Sequence, residues 1–146
     1  MITTFNLRKP TRDMMLTSAA GPAMNVLLAL FFTGAYWFHT KVRGIAWDSS
    51  SSILIVTGIQ LNLQLAVFNM LPIPPLDGHR VLGYLLPPKL REAYYRIGAV
   101  GGIVLLLALL YTGVLGRIQV SILYPLGEWW GRLLMPGGLP IFGRGW

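Results

Sequence analysis

Residues 69 to 78 read Asn-Met-Leu-Pro-Ile-Pro-Pro-Leu-Asp-Gly, and this stretch decides how the rest of the chain is interpreted. Three prolines in four positions cannot continue a helix, so they predict an extended, polyproline-like segment. The prolines lie near the C-terminal end of a run, from Ser49 to Leu76, that contains no charged residue. Because extended backbone at membrane depth has to be buried in protein or line a wet cavity, we predict a proline-broken re-entrant segment that ends on Asp77.

Asp77 has two interpretations from the residues alone. An ionisable residue at membrane depth is a functional candidate, because burying a charge there is expensive without a role or a partner. Alternatively, Asp77 caps a helix that runs on from Gly78, since Asp is a favoured N-cap residue. The two roles are compatible, and the sequence leaves both open.

Three segments without charge are long enough to cross a membrane, which takes about 20 apolar residues in a helix. They run from Met14 to Phe38, from Ser49 to Leu76 and from Ile97 to Gly116. After the serine tract and the prolines are excluded from the second segment, the predicted spans are 14–38, 53–71 and 97–116. The predicted fold class is therefore all-α, a multi-pass transmembrane helical bundle in a single membrane domain, 1–146.

The C-terminal tail, 118–146, follows a different pattern. Pro125, Gly127 and Gly131 interrupt it, and it is rich in tryptophan. Tryptophan is enriched at the interface between lipid and water, so we predict that this tail lies at the membrane surface and does not span.

Composition excludes several classes of protein. The chain is 54% hydrophobic and 12% charged, which rules out both an ordinary soluble globule and a disordered tail. The absence of cysteine excludes disulfides and thiolate metal sites. The net charge of +7 comes from residues that flank apolar segments, so the lipid bilayer with its anionic headgroups is the expected partner, and nucleic acid is not.

The 69–78 stretch closely resembles the second signature of the site-2 protease family of intramembrane zinc metalloproteases, which is an Asn, then prolines, then Leu-Asp-Gly. Ala20-Gly21-Pro22 with Asn25 is similar to the start of the family's middle core helix. In the family, two histidines of an His-Glu-x-x-His helix and the signature Asp hold a zinc ion whose water attacks a peptide bond. The resemblance implies that Asp77 is the third zinc ligand, and that Asn69 lies near the substrate backbone or the oxyanion.

The sequence departs from the family in its metal-binding motif. It contains no His-Glu-x-x-His, and neither of its histidines, His39 and His79, has a Glu beside it. No catalytic Glu or His pair is therefore assigned in this chain, and His79 is interpreted as a polar residue at the membrane surface. We expect an upstream segment to carry the missing helix, and the chain as given to be incomplete and inactive.

The resemblance thus implies a zinc metallopeptidase that cleaves transmembrane protein substrates in a cell membrane, with a bacterial inner membrane as the expected location. The alternative is a non-catalytic membrane protein of the same fold that binds transmembrane partners without cleaving them. The sequence gives no oligomeric state.

Overall fold

A computed structural model describes residues 10–46, 49–96 and 98–135. Within these ranges the chain forms α-helices joined by short turns and contains no strand, which confirms the all-α class. The helices are α1 (Pro10–Trp37, continued by a π-helical turn at Phe38–Val42), α2 (Ser50–Asn69), α3 (Asp77–Leu85), α4 (Pro88–Tyr95), α5 (Gly98–Tyr111) and α6 (Val114–Leu134).

In the part of the chain that the structure describes, two helices are long and apolar enough to cross a membrane on their own. The first, Asp13–Val42, has 30 residues, and the second, Ser50–Asn69, has 20. At 1.5 Å per residue, 20 helical residues reach about 30 Å, which is the thickness of a bilayer's hydrocarbon core. These helices cover most of the predicted spans 14–38 and 53–71.

The predicted third span, 97–116, is not one helix. It is broken after Tyr111, where Gly113 adopts a left-handed conformation with φ 69° and α6 begins at Val114. The 14 residues of α5 reach only about 21 Å, short of the hydrocarbon thickness. Among the described residues, a third candidate span is obtained only if α4 and α5, which are bent by 74° relative to each other, are counted together.

The tail prediction was wrong about the interruption at Pro125. That proline lies inside α6, which is continuous from Val114 to Leu134. A proline removes only one helical hydrogen bond, and tertiary contacts hold the helix on both sides of it. Leu123 and Trp130 are buried, and Trp130 Nε1 donates a hydrogen bond of 2.9 Å to Thr33 Oγ1 on α1. Residues 136–146 of the predicted interfacial tail lie outside the described residues.

Helices α1 and α2 form an antiparallel pair around which the core is built. A hydrogen bond of 2.8 Å joins His39 Nε2 at the end of α1 to Ser51 Oγ at the start of α2. Further along the pair, the ring of Phe32 lies against Gly58. Between these helices and α6 the main core cluster contains Ala29, Tyr36, Ile59, Leu63, Leu123, Trp130 and Met135. The 69–78 stretch lies beyond the other end of the pair, where α2 finishes.

Candidate functional site

Asp77 is the first residue of α3, and its carboxylate faces α1. The N-cap position belongs to Leu76, whose backbone is extended (φ −67°, ψ 157°) and whose side chain makes no capping hydrogen bond. The interpretation of Asp77 as an N-cap is therefore wrong. A Cβ added to Gly21 would lie 3.1 Å from Asp77 Oδ2, so the half-buried carboxylate rests directly against α1. The positive end of the α3 dipole favours a negative charge at this first-turn position.

A close backbone crossing fixes the start of α3. Gly78 is buried, and a Cβ there would overlap the carbonyl groups of Met70 and Leu71. Because only glycine allows that approach, the start of α3 packs directly against the residues that follow α2. In the Asp-Gly pair, Asp77 thus supplies the carboxylate, and Gly78 allows the close backbone contact beside it.

The proline segment itself, Met70 to Leu76, is folded into turns. The prediction of an extended, polyproline-like segment was wrong, because the N–H groups of this segment form hydrogen bonds with nearby carbonyls. Ile73 N–H donates to Leu71 O at 2.8 Å, and Leu76 N–H donates to Ile73 O at 2.9 Å. The Pro74–Pro75 peptide bond is cis. Burial of Leu71 and Ile73 against Leu115 favours such local bonding, since buried backbone groups need partners.

Two other helices hold the proline segment from outside. The Tyr94 hydroxyl on α4 donates a hydrogen bond of 2.6 Å to the carbonyl oxygen of Pro72. Burial, and secondarily the nearby Tyr95, raise the pKa of Tyr94, so the phenol remains a protonated donor. On α5, Gly102 is buried against Pro74 so closely that a Cβ would overlap the Pro74 carbonyl. The segment that ends on Asp77 is therefore fixed on two sides.

Asn69 ends α2 and is half-buried. In the antiparallel pair, His39 contacts Ser51 and Phe32 contacts Gly58. The register is therefore one residue towards the N-terminus of α1 for each residue towards the C-terminus of α2. Extrapolated to the end of α2, that register predicts Asn69 at the level of Gly21, the residue against which Asp77 Oδ2 rests. A common level on α1 for the two predicted site residues is thus an expectation from the register.

His79 has separate surroundings. Its Nδ1 is 2.7 Å from the carbonyl oxygen of Leu76, and its ring packs near those of Tyr94 and Tyr95, with centroids 6.5 Å and 6.0 Å away. The histidine belongs to an aromatic cluster between α3 and α4. This arrangement gives His79 a packing role, which the sequence did not indicate.

The donor set for a metal ion is incomplete in the part of the chain that the structure describes. No group of three His, Cys, Asp or Glu side chains there is placed to hold a metal. A protein zinc site needs three or four ligands, of which Asp77 supplies one suitable oxygen donor. The described residues therefore do not form a zinc site by themselves.

Comparison with known proteins identifies the family. The sequence model of peptidase family M50 matches residues 38–109, a range that contains both Asn69 and Asp77. The chain belongs to the site-2 protease family. No solved structure matches it significantly.

Three curated relatives are similar to this site-2 protease family member, and all carry the name of a zinc metalloprotease. YwhC of Bacillus subtilis (strain 168) is 38% identical over 107 residues, which cover 68% of this chain and 47% of the relative. MJ0611 of Methanocaldococcus jannaschii is 41% identical over 63 residues, 43% of this chain and 30% of the relative. Rip2 of Mycolicibacterium smegmatis is 31% identical over 116 residues, 77% of this chain and 42% of the relative. The chain thus spans less than half the length of these relatives.

Sequence reasoning missed the residues that hold the site together. Tyr94 lies 22 residues from the carbonyl that it binds, and Gly102 lies still further from Pro74. For the contact between Gly102 and Pro74, the local signal was the cluster of glycines at the start of the third apolar segment, because small residues let backbones approach closely.

Proposed function

We propose that this chain provides the aspartate-bearing part of a site-2-protease-like intramembrane zinc metallopeptidase, which hydrolyses peptide bonds in transmembrane protein substrates. One observation carries the proposal. The Asp77 carboxylate is fixed against Gly21 at the end of a doubly anchored proline segment, and it is not used to cap its own helix. A carboxylate held in this way is suited to serve as a metal ligand. The names of the curated relatives support zinc as the metal.

In this proposal the two predicted residues have different roles. Asp77 supplies one oxygen ligand to the zinc ion, and the remaining ligands come from outside the described residues. Asn69 lies at the same level of α1 and offers its amide to the substrate backbone or to the oxyanion. The site lies at the end of the α1–α2 pair, which supports a membrane location, and we propose a multi-pass protein of a cell membrane, in particular a bacterial inner membrane.

We further propose that these 146 residues alone do not hydrolyse peptide bonds. The sequence holds no His-Glu-x-x-His, and its two histidines are engaged elsewhere: His39 with Ser51, and His79 with Leu76 and the tyrosines. Among the described residues, neither a histidine pair nor the glutamate of a His-Glu-x-x-His motif is therefore available next to Asp77. Activity needs a segment that brings both.

The test joins the N-terminus of the chain to a helix that carries His-Glu-x-x-His, the motif that the sequence lacks. The joined protein is reconstituted into liposomes with zinc and a transmembrane model substrate, and cleavage is followed by gel electrophoresis. We expect cleavage by the joined protein, none by the 146-residue chain, and none after Asp77→Asn.

Glu92→Gln is the matched control, because Glu92 is a carboxylate in an exposed ion pair with Arg96 on α4. Exposed pairs contribute little to stability, so this variant should cleave normally. Cleavage that survives Asp77→Asn contradicts the proposal. A folded, zinc-loaded joined protein that binds transmembrane segments and cleaves none of them favours the non-catalytic alternative.

A further inference from the structure

Ser18 carries a buried hydroxyl that the fold leaves without a partner. The residue lies on α1 and is 3% exposed, and its Oγ has no hydrogen-bond partner among the described residues. Most buried polar groups in proteins are hydrogen-bonded, and an exception calls for an explanation such as a bound water molecule or ion. Ser18 is therefore a candidate for a binding site.

Other helical hydroxyls in this protein form a hydrogen bond with a carbonyl of their own helix, which Ser18 does not. Thr17, Thr33 and Ser121 each donate to the carbonyl four residues earlier in their own helix, at 2.7 Å, 2.8 Å and 2.8 Å. Thr57 and Thr112 do the same. The hydroxyl of Ser18 does not make this bond, although a helical carbonyl precedes it in the same way. Its donor is thus left available for a group outside its own helix.

The neighbourhood of Ser18 contains the Asp77 carboxylate. Ser18 comes one helical turn before Gly21, and Cβ positions three residues apart in a helix are about 5–6 Å apart. Asp77 Oδ2 is 3.1 Å from the position that a Gly21 Cβ would occupy. The hydroxyl therefore lies on α1 within one helical turn of the point where the carboxylate contacts that helix, and Gly21 places no side chain between the two.

The chemistry of this neighbourhood fits water. Ser18 offers a donor and Asp77 offers acceptors, and the two are not bonded directly to each other. A single water molecule that accepts from one and donates to the other bridges oxygens up to about 5.5 Å apart, through two bonds of about 2.8 Å. Buried waters commonly satisfy polar groups in this way.

We propose that Ser18 and Asp77 hold a bridging water molecule between α1 and α3. Ser18 is then a water-binding residue of the site, and it keeps water beside the carboxylate. The proposal goes beyond the proposed function, and it requires neither zinc nor peptidase activity.

Water-edited solid-state NMR tests the proposal on the 146-residue chain in liposomes, with ¹³C-labelled serine and threonine. The Ser18 Cβ signal is assigned by its loss in Ser18→Ala. Thr33 is the matched reference, because its hydroxyl is also buried on α1, but it donates to Ala29 O and accepts from Trp130 Nε1. We expect magnetisation from water to reach Ser18 Cβ several-fold faster than Thr33 Cβ. Equal, slow transfer to both would overturn the proposal.

Two variants test whether the water also binds Asp77. Gly21→Ala places a methyl group between the hydroxyl and the carboxylate, and Asp77→Leu removes the carboxylate, so each should slow the transfer to Ser18 to the rate of Thr33. Gly34→Ala, on the same helix with nothing within 4 Å of the added Cβ, should leave the transfer unchanged. Unchanged Thr33 chemical shifts verify the fold. Fast transfer that persists in both folded variants overturns the bridge to Asp77.

Discussion

The Asp77 carboxylate rests against Gly21 of α1, with Oδ2 only 3.1 Å from the position that a Cβ on Gly21 would take. This contact places the predicted zinc ligand between two helices instead of on an open surface. It also ties the Ala-Gly-Pro sequence near the start of α1 to the Leu-Asp-Gly sequence that begins α3.

Gly21→Ala should therefore lower stability relative to Gly34→Ala. Alanine in a helix interior is favoured over glycine by about 0.5–1 kcal/mol, and Gly34→Ala should show that gain because its added Cβ meets nothing within 4 Å. At Gly21 the contact with Asp77 Oδ2 should offset the gain. Unfolding in mixed detergent–SDS micelles, followed by far-UV circular dichroism, measures the stability of both variants. Equal stabilisation by the two alanines would show that Asp77 does not press on Gly21.

Gly102→Ala should be severely destabilising. The added Cβ would overlap the carbonyl group of Pro74, which is backbone and cannot swing away. Overpacking of this kind costs about 1–3 kcal/mol or more. The fraction of monodisperse protein in size-exclusion chromatography should fall for Gly102→Ala and not for Gly116→Ala, where the added Cβ meets nothing within 4 Å. Normal behaviour of Gly102→Ala would mean that α5 does not pack on the proline segment.

Tyr94→Phe should loosen the proline segment without unfolding the chain. The change removes one hydrogen bond, from the Tyr94 hydroxyl to Pro72 O at 2.6 Å, and keeps the ring beside Tyr95. A net loss of about 0.5–1.5 kcal/mol is expected. Hydrogen exchange should accelerate at the Ile73 and Leu76 amides. Tyr95→Phe is the control, since the bond to Pro72 belongs to Tyr94, and faster exchange in the control alone would refute this anchoring role.

Trp130→Phe should weaken the attachment of α6 to α1. The substitution removes the buried hydrogen bond from Nε1 to Thr33 Oγ1, 2.9 Å long, and leaves a smaller ring in the core. The lost bond alone costs about 0.5–1.5 kcal/mol. Trp129→Phe, at a position 54% exposed, should have little effect on the same micelle unfolding curve. A similar loss of stability in both variants would argue against the packing of α6 on α1 through Trp130.

Much of the architecture could be predicted from local patterns. The charge-free runs locate α1 and α2, because a hydrocarbon-length apolar segment is a strong signal. The prolines and Asp77 fix where α2 stops and α3 starts. Patterns of this kind depend on only a few consecutive residues.

The failures have tertiary causes or depend on fine details of capping. The predicted second span left out the serine tract from Ser49 to Ser52, but Ser49 is the N-cap of α2 and accepts a hydrogen bond from Ser52 N–H. Pro125 looked like an interruption, but packing of Trp130 keeps α6 intact. The positions of Tyr94 and Gly102 around the proline segment depend on contacts between distant parts of the chain, which one sequence does not reveal.

The most direct test of the account asks whether Asp77 is a zinc ligand. The protein joined to a His-Glu-x-x-His helix is dialysed against a chelator, and its zinc content is measured by inductively coupled plasma mass spectrometry. We expect stoichiometric zinc in the parent protein and in His79→Ala, whose ring packs among tyrosines, and loss of zinc in Asp77→Asn. Full retention of zinc by a folded Asp77→Asn variant would contradict the central claim.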